Sequence, residues 1–125
     1  MLGNRDAAAN IAVRKLDVAR RFYEDTLGLT QVAAEGEELV VFRSGSSTIN
    51  VYRSQYAGTN QATAVTWDVG DDVESVVRAL KSKGVVFEHY DMPDMKREGD
   101  VHIAGDMKVA WFKDPDGNIL NIVNS

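Results

Sequence analysis

The sequence predicts an α+β protein that consists of two βαβββ modules, with curved mixed sheets around a cavity and the helices on their outer face. Three observations lead to this prediction. Two segments have helical periodicity, the other regular segments are typical of strands, and the same order of elements occurs twice along the chain. We expect a single domain over residues 1–125, with module one at about 8–57 and module two at about 62–124.

Both predicted helices have apolar residues on one side and a glycine at the end. The second spans residues 72–84, and its apolar residues recur at helical spacing in positions 73, 76, 77 and 80. The first spans residues 17–28 and has a similar pattern. Asp17 and Asp72 are the candidate N-caps, and Gly28 and Gly84 are the expected ends of the helices.

Eight further segments have the alternation and the flanking turns that are typical of strands. Turns are predicted at Gly36, at residues 44–46 and at residues 114–117, where proline and glycine favour a tight reversal. Residues 91–106 have no clear period, and we expect an irregular loop there, beside the ligand pocket. The predicted strands are 9–14, 29–34, 38–43, 47–53, 63–69, 85–90, 107–113 and 118–124.

The repeated order of elements indicates an internal duplication. Val13 precedes the first helix as Val69 precedes the second, and Gly28 and Gly84 end the two helices at the same separation. The late strands of the two modules correspond as well, with residues 41–43 matching residues 111–113 before the late turn and Asn50 matching Asn121 after it. The two modules share few identical residues but keep the same order, which favours two copies of one supersecondary unit.

The predicted strands have two different faces, because successive side chains of a strand point to opposite sides of a sheet. The face expected to pack on the helices contains Ile11, Val13, Ile49, Val51, Val65, Trp67, Val69, Leu120 and Ile122. The other face contains Asn10, Ala12, Thr48, Asn50, Tyr52, Ala64, Thr66, Asp68, Ile119 and Asn121. Such short and mostly neutral side chains favour a concave surface with room for a ligand. A solvent-facing sheet or a dimer interface is the alternative.

Composition excludes several classes of protein. Without any cysteine, the chain has no disulfide framework, no thiolate zinc site and no cysteine nucleophile. The net charge is −5 and the basic residues are interleaved with acidic ones, which argues against a nucleic-acid partner. Neither a signal peptide nor a long apolar run is recognisable, so we expect a cytoplasmic protein with no membrane partner.

Two motifs give the chain a resemblance to a known superfamily. Residues 16–29, LDVARRFYEDTLGL, are similar to a first helix that ends in FY-x-x-x-LG, and residues 111–118, WFKDPDGN, are similar to a DPDGN hairpin. In this order and separation they resemble the vicinal oxygen chelate superfamily, which includes glyoxalase I, extradiol dioxygenases, and fosfomycin- and bleomycin-resistance proteins. The resemblance covers essentially the whole chain and implies a glyoxalase-like fold.

The same resemblance implies four metal-ligand positions. Metal-dependent members hold one divalent ion with histidine and glutamate side chains from the first and last strands of each module. The corresponding residues here are Ala8, Asn50, Ala64 and Asn121. Alanine has no donor atom, and an amide is a poor substitute where imidazole and carboxylate are used. We therefore expect a metal-free member that has no cofactor.

The main hypothesis is a metal-independent small-molecule binding protein that resembles the bleomycin-resistance branch and sequesters a drug or metabolite without a reaction. The facing of Trp111 stays open, because its strand lacks clean alternation and core packing is equally compatible with the pattern. The expected ligand-binding residues supply amide, hydroxyl, charged and aromatic groups. They are Asn10, Thr48, Asn50, Tyr52, Thr66, Asp68, His102, Trp111 and Asn121.

Two alternative functions stay open at this point. A metal-independent lyase or isomerase would use Asp68 or His102 as a general acid or base. A glyoxalase- or dioxygenase-type metalloenzyme would need displaced ligands, since His89 and His102, the two histidines, match none of the expected ligand positions. The resemblance also implies a homodimer, because paired modules of this superfamily often assemble across two chains.

Overall fold

The computed structural model describes residues 1–124 and contains two mixed β-sheets, each with one helix segment packed on it. The α+β class and the two mixed sheets that the sequence predicts are confirmed. The chain divides into two compact units, unit one at residues 1–59 and unit two from residue 60 onward. No helix within residues 1–124 is long and apolar enough to cross a membrane.

Unit one contains a four-stranded sheet and one helix. Its elements are β1 (Ala9–Val13), α1 (Leu16–Arg21), β2 (Thr30–Glu35), β3 (Leu39–Ser44) and β4 (Ser47–Arg53). The strand order is β1-β4-β3-β2, in which β1 and β4 are parallel and the other pairs are antiparallel. The first and last strands of the unit are therefore neighbours, and their parallel pairing requires a crossover connection.

One face of this sheet forms the core of unit one. Its buried strand residues are Ile11, Val13, Val40, Phe42, Ile49 and Val51. Tyr23 is fully buried against this face, and its ring centroid lies 6.0 Å from that of Phe42. The alternation in the sequence predicts this face because buried and more exposed residues follow each other in turn along β1 and β4.

The first helix differs from its prediction at both ends. Lys15 is the N-cap instead of Asp17, which lies in the first turn and forms an exposed ion pair of 3.7 Å with Arg21. Beyond α1 the chain makes a π-helical turn, Phe22–Thr26, where the sequence predicts a continuous α-helix. Gly28 then ends the helical segment with a φ of +80°, a conformation that favours glycine.

Unit two contains the second sheet. Its elements are β5 (Thr63–Asp68), a short 3₁₀ turn (Gly70–Asp72), α2 (Val73–Ser82), β6 (Phe87–Glu88), β7 (Lys96–Glu98), β8 (Val101–Ala104), β9 (Met107–Lys113) and β10 (Ile119–Val123). The strand order is β5-β10-β9-β8-β7, and β6 pairs with β9 as well. As in unit one, the first and last strands, β5 and β10, are parallel.

The expectation of an irregular loop at residues 91–106 is wrong, because this segment contains β7 and β8. The two strands form a hairpin in which Arg97 lies opposite His102, and β8 pairs onward with β9 through His102 and Val109. Both strands are short, and the charged run at 96–98 hides any alternation. The strand predicted at 85–90 is correspondingly short and covers Phe87–Glu88 alone.

The hairpin between β9 and β10 explains the DPDGN motif. Asp114 is buried, and its Oδ1 accepts the backbone N–H groups of Asp116 and Asn118 at 2.9 Å each. Its Oδ2 accepts a hydrogen bond of 2.8 Å from Nδ2 of Asn118. Gly117 supplies the left-handed residue of the turn, with a φ of +90°. The motif is thus a self-contained turn that holds the two central strands of unit two in register.

Candidate ligand-binding site

The predicted site residues of unit one share the sheet face that points away from α1. Asn10 and Asn50 lie opposite each other on β1 and β4, and Nδ2 of Asn50 donates a hydrogen bond of 3.3 Å to Oδ1 of Asn10. Thr48 and Tyr52 lie two positions away from Asn50 on either side, so they share its face. Tyr52 is 38% exposed. This face therefore combines a paired set of amides with an accessible phenol.

The predicted site residues of unit two also fall on one sheet face. Asn121 on β10 lies opposite Thr66 on β5 and opposite Trp111 on β9. His102 lies opposite Val109, which precedes Trp111 by two positions, so His102 shares the same face. The register thus brings Thr66, His102, Trp111 and Asn121 to one side of the sheet.

The orientation of Trp111, which the sequence leaves open, is settled by its neighbours. Phe112, the next residue, is buried on the helix side with its ring 6.5 Å from Trp67 and 5.6 Å from Phe87. Trp111 points the other way and is half-buried, and its indole Nε1 donates a hydrogen bond of 3.2 Å to Oγ1 of Thr63. Its ring is therefore available as a wall of a pocket.

Asp68 lies at the end of β5 and serves the backbone. Its Oδ1 accepts the N–H of Gly70 at 3.0 Å, at the start of the 3₁₀ turn that leads into α2. A carboxylate that satisfies a backbone donor at the entry of a helix has a clear structural role. The geometry of Asp68 is thus that of a turn residue.

Three rings form an aromatic cluster on the inner face of unit two. The centroid of Trp111 lies 5.2 Å from that of Tyr90 and 4.9 Å from that of His102, both in edge-to-face arrangement. Tyr90 and His102 are 6.3 Å apart. His102 is 1% exposed, whereas Tyr90 and Trp111 are half-buried. Edge-to-face pairs at these distances are favourable and fix the orientation of the rings.

Hydrogen bonding determines the tautomer of His102. Its Nε2 accepts the backbone N–H of Tyr90 at 3.0 Å, so the neutral ring carries its proton on Nδ1. Nδ1 is buried and has no hydrogen-bond partner among residues 1–124, and the same holds for Oδ1 of Asn121. A buried polar group without a partner costs about 1–3 kcal/mol, and native proteins tolerate few of them. A donor and an acceptor on this face are thus left for a ligand or water.

Two pockets adjoin in unit two, since Tyr90 and Met92 line both. The first, of about 290 Å³, is called the aromatic pocket and is lined by uncharged residues that include Thr63, Tyr90, Met92, Trp111 and Ile119. The second, of about 480 Å³, is called the charged pocket and is lined by residues that include Asp91, Met95, Lys96, Arg97 and His102. One ligand can therefore contact an apolar and a charged environment together.

The sequence did not identify Tyr90, Met92, Lys96 and Arg97 as site residues. All of them lie in or next to the segment at 91–106, whose length predicted a place beside the pocket. The particular side chains could not be selected, because the pairing of β7 with β8 brings Arg97 opposite His102 and no local pattern reveals that pairing.

A charged cluster around Asp100 ties residues 89 and 100 to each other and to α2. Asp100 accepts hydrogen bonds of 2.7 Å from Nζ of Lys81 on α2 and 2.7 Å from Nε2 of His89. The Lys81 ammonium, and after it the His89 ring, lower the pKa of the Asp100 carboxyl below its usual 3.8. The residues that carry Tyr90 and the charged pocket are thus anchored near their beginning and their end.

Unit one has a pocket of its own, of about 520 Å³, at the start of α1. It is lined by Arg14, Lys15, Leu16, Asp17, Arg20, Gly36, Glu37 and Arg53. None of the predicted ligand-binding residues lines it. Its side chains are of both charges, and Arg53 is already paired with Glu38 at 2.8 Å.

The residues at the four expected ligand positions do not fit a divalent metal ion. Ala8 and Ala64 have no donor atom, Asn50 bonds with Asn10, and Asn121 offers a neutral amide. Within the described part of the chain, residues 1–124, no three side chains of His, Cys, Asp or Glu come together as a metal site would require. A transition metal needs imidazole, thiolate or carboxylate ligands to bind tightly.

Several solved structures have a similar fold. A glyoxalase family protein from Enterococcus faecalis superposes with a TM-score of 0.74 at 17% identity, over 99% of this chain and 100% of that one. Lactoylglutathione lyase from Agrobacterium tumefaciens gives 0.68 at 19% identity, over 95% and 93%. A fosfomycin resistance protein from Mesorhizobium loti gives 0.71 at 12% identity, over 98% and 92%. At these identities the likeness establishes a glyoxalase-like fold and no particular activity.

Sequence comparison leads to the same group of proteins. No protein of curated function matches the chain. A family model described as Glyoxalase/Bleomycin resistance protein/Dioxygenase superfamily matches residues 7–122, which include both modules and both motifs described above. The chain therefore belongs to the glyoxalase/bleomycin resistance protein/dioxygenase superfamily.

Proposed function

We propose that this protein binds a small molecule in unit two and sequesters a drug or metabolite in the cytoplasm, without a metal ion and without a reaction. The observation that carries this proposal is the aromatic pocket, in which Tyr90, Met92 and Trp111 surround an uncharged space of about 290 Å³. Ligand sites of proteins are typically concave and mostly apolar, with a few polar groups that fix the orientation of the ligand.

The chemistry of the pocket suits a flat ligand. Aromatic side chains offer stacking or edge contacts, and the thioether of Met92 adapts to the ring that it meets. The rim supplies hydrogen-bonding groups at Gln61 and Thr63. Such a site binds by shape and by ring contacts, which is sufficient for sequestration.

Metal independence is part of the proposal because the donor set is unsuitable for a transition metal. Neutral amides and alanines occupy the four positions at which relatives carry ligands, so a metalloenzyme would need ligands from elsewhere. Elemental analysis of protein purified without added metal tests this part. Near-stoichiometric zinc, nickel, iron or manganese would overturn it in favour of a glyoxalase- or dioxygenase-type enzyme with displaced ligands.

A metal-independent lyase or isomerase is the second candidate, and one observation favours it. Nε2 of His102 accepts a backbone hydrogen bond, and its Nδ1 lacks a partner within residues 1–124. A lyase or isomerase also needs a general base that removes a proton from the substrate, and the Asp68 carboxylate already accepts a hydrogen bond at the 3₁₀ turn. Binding without reaction therefore accounts for the site with fewer requirements. A product that forms with wild-type protein, and not with His102→Gln at equal ligand affinity, would favour the enzyme.

The proposal includes a homodimer. β2 is the last strand of its sheet, and all six of its residues are exposed. An exposed edge of this length offers unpaired backbone groups to a second chain. Light scattering coupled to size-exclusion chromatography measures the assembly directly. A mass equal to one 13.8 kDa chain at micromolar concentration would overturn the dimer and leave the binding site of unit two in place.

Calorimetric titration tests the binding function itself. Planar metabolites and cationic antibiotics are titrated into the purified protein, and we expect at least one compound to bind with a stoichiometry near one per chain. Binding should also quench fluorescence, because Trp111 is one of two tryptophans and lines the aromatic pocket. The absence of heat and of quenching across the whole panel would overturn the proposed function.

A further inference from the structure

We infer that the ligand of unit two is a planar aromatic anion, with its ring in the aromatic pocket and its negative group in the charged pocket. This inference rests on the proposed binding function and narrows it to one chemical class. It depends on the difference between two spaces that share the side chains of Tyr90 and Met92.

The shared wall means that one molecule can occupy both pockets. A ring against Trp111 lies on the uncharged side of Tyr90 and Met92, and a substituent that extends past them reaches Lys96 and Arg97. A site of this kind discriminates by charge at one end and by shape at the other. The two recognition elements therefore act on the same ligand.

The cations of the charged pocket are available for a ligand. Neither Lys96 nor Arg97 forms an ion pair with another of the described residues, whereas Lys81, Lys108 and Lys113 each pair with a carboxylate. Arg97 donates from Nη1 to the carbonyl of Gly99 at 2.8 Å, which holds its guanidinium and leaves other N–H donors free to bind. Arg97 also lies opposite His102 across the hairpin.

The acidic groups near the pocket do not cancel this charge. Asp91 is the one carboxylate that lines it, against two cations. Asp100 is already bonded to Lys81 and His89. Glu88 lies 3.5 Å from the ammonium of Lys113. Among the residues that line the pocket, two cations therefore accompany one carboxylate, whereas the exposed Asp94 and Glu98 lie close by in the chain but outside the lining.

His102 supplies a further donor in the wall of the charged pocket. Its Nδ1–H meets no acceptor in the described chain, and a carboxylate oxygen is an acceptor of the kind it lacks. This atom has almost no accessible surface. Arg97 is therefore an exposed donor on the face of His102, and Lys96, which lies on the other face of β7, also lines the pocket. Cationic donors favour an anion over a cation.

Distant charges of the protein do not reverse this preference. At physiological ionic strength the Debye length is about 8 Å, so exposed acids elsewhere are largely screened. Lys96 and Arg97 line the pocket themselves, so their charges are less screened from a ligand there. A cationic ligand would lose part of its hydration on binding. In return it would be attracted by one carboxylate, Asp91, and repelled by two cations, Lys96 and Arg97.

Three naphthalene probes that differ in one substituent test the inference. The carboxylate, the neutral methanol derivative and the methylammonium derivative of naphthalene are titrated at fixed ionic strength, with tryptophan fluorescence and calorimetry as readouts. We expect the carboxylate to bind at least about tenfold more tightly than the alcohol, and the ammonium compound to bind most weakly. The advantage of the carboxylate should shrink as salt is raised.

A double variant identifies the residues responsible. Lys96→Gln with Arg97→Gln should bring the affinity for the carboxylate down to that for the alcohol, and it should leave the affinity for the alcohol unchanged. Both residues are exposed, so the variant should fold. Arg78→Gln is the control, because it removes a positive charge from the exposed side of α2 and lies outside the residues that line either pocket.

The outcomes separate the inference from the function on which it rests. Equal binding of carboxylate and alcohol overturns the anion, and a preference for the carboxylate that survives the double variant overturns its recognition by Lys96 and Arg97. Either result leaves small-molecule binding intact. Failure of all three probes overturns the planar aromatic anion as well. The binding function itself then stands or falls with the wider titration panel.

Discussion

Units one and two have the same basic order of elements but differ at one edge of the sheet. In both, the first and last strands are parallel neighbours and the third main strand pairs with the last. In unit one a continuous strand, β2, pairs with β3. In unit two the corresponding edge of β9 is shared by the separate strands β6 and β8. The residues between these strands, 89–100, are called the excursion: they leave the sheet after β6 and return to its outer edge as β7.

This excursion contributes pocket-lining residues that have no counterpart in the sheet of unit one. Tyr90, Met92, Lys96 and Arg97 all lie in it, and together they line the two pockets of unit two. Unit one has a single irregular position, Val32, near the comparable place in β2. The comparison teaches that the duplicated elements supply the sheet, while the interruption of one edge strand supplies the pocket walls.

The polar residues of the two inner faces differ as well. The amides of Asn10 and Asn50 bond with each other in unit one. In unit two, Oδ1 of Asn121 and Nδ1 of His102 find no partner anywhere in residues 1–124. The first arrangement is satisfied by the protein itself, whereas the second leaves a donor and an acceptor unpaired within the described residues.

The largest expected effect tests whether the two cores are equivalent. Phe42→Ala in unit one and Phe112→Ala in unit two each remove a fully buried ring, so each should lower the free energy of unfolding by about 3–5 kcal/mol. Urea denaturation measures both variants. A loss below about 1 kcal/mol in either would contradict a shared design of the cores.

The next effect tests which unit binds the ligand. Trp111→Ala should weaken the tightest compound of the titration panel by about tenfold or more, because it removes the ring that walls the aromatic pocket. Tyr52→Ala in unit one is the matched control and should change the affinity less than about twofold, since Tyr52 does not line the pockets of unit two. Equal losses in both variants would argue against a site confined to unit two.

A smaller effect concerns the free energy of unfolding that is lost by leaving the Asn121 amide oxygen without a partner. Asn121→Leu replaces an amide whose Oδ1 is unsatisfied by the described residues, so it should raise the free energy of unfolding by about 1 kcal/mol. Asn50→Leu breaks the bond to Asn10 and should lower it slightly. Thermal denaturation of the ligand-free proteins compares them. Destabilisation by Asn121→Leu would show that its amide is satisfied after all.

The smallest effect concerns the anchoring of the excursion. Because the folded pKa of Asp100 lies below 3.8, its contribution to stability is fully present above pH 3.8 and is lost as the pH falls through the lowered folded pKa. Asp100→Asn should therefore cost about 1 kcal/mol at pH 7 and less under strongly acidic conditions. Urea denaturation across this pH range provides the measurement.

A matched change in unit one serves as the control for Asp100. Glu38→Gln breaks the Arg53–Glu38 pair, whose side chains are 53% and 64% exposed, and it should shift stability by less than about 0.5 kcal/mol. A pH-independent loss in Asp100→Asn would mean that the carboxylate charge is not what anchors the segment.

Local patterns predicted most of the sheet framework. Alternation along β1 and β4 identifies the buried face because one side of the sheet packs on a helix segment. Gly28 and Gly84 both have positive φ, so a residue without a side chain marks the helix ends correctly. These features depend on neighbouring residues and on burial, which a single sequence records.

Features that depend on distant pairing escaped prediction. β7 and β8 are held by register with each other and with β9, and their short charged sequences contain no period of their own. The approach of Tyr90 to His102 and Trp111 follows from the same register. The π-helical turn at Phe22–Thr26 was missed because its side chains fit an α-helical pattern equally well.

The charged cluster of Asp100, Lys81 and His89 has a consequence for how the sequences of this fold can vary. The bond of His89 to Asp100 joins the two ends of the excursion, and Lys81 ties Asp100 to α2, so residues 91–95, which precede β7, do not have to maintain the sheet. Residues 91–95 can therefore be exchanged during evolution with little effect on folding. We expect paralogues with the same framework to differ most in this segment, and each exchange there to yield a new ligand preference.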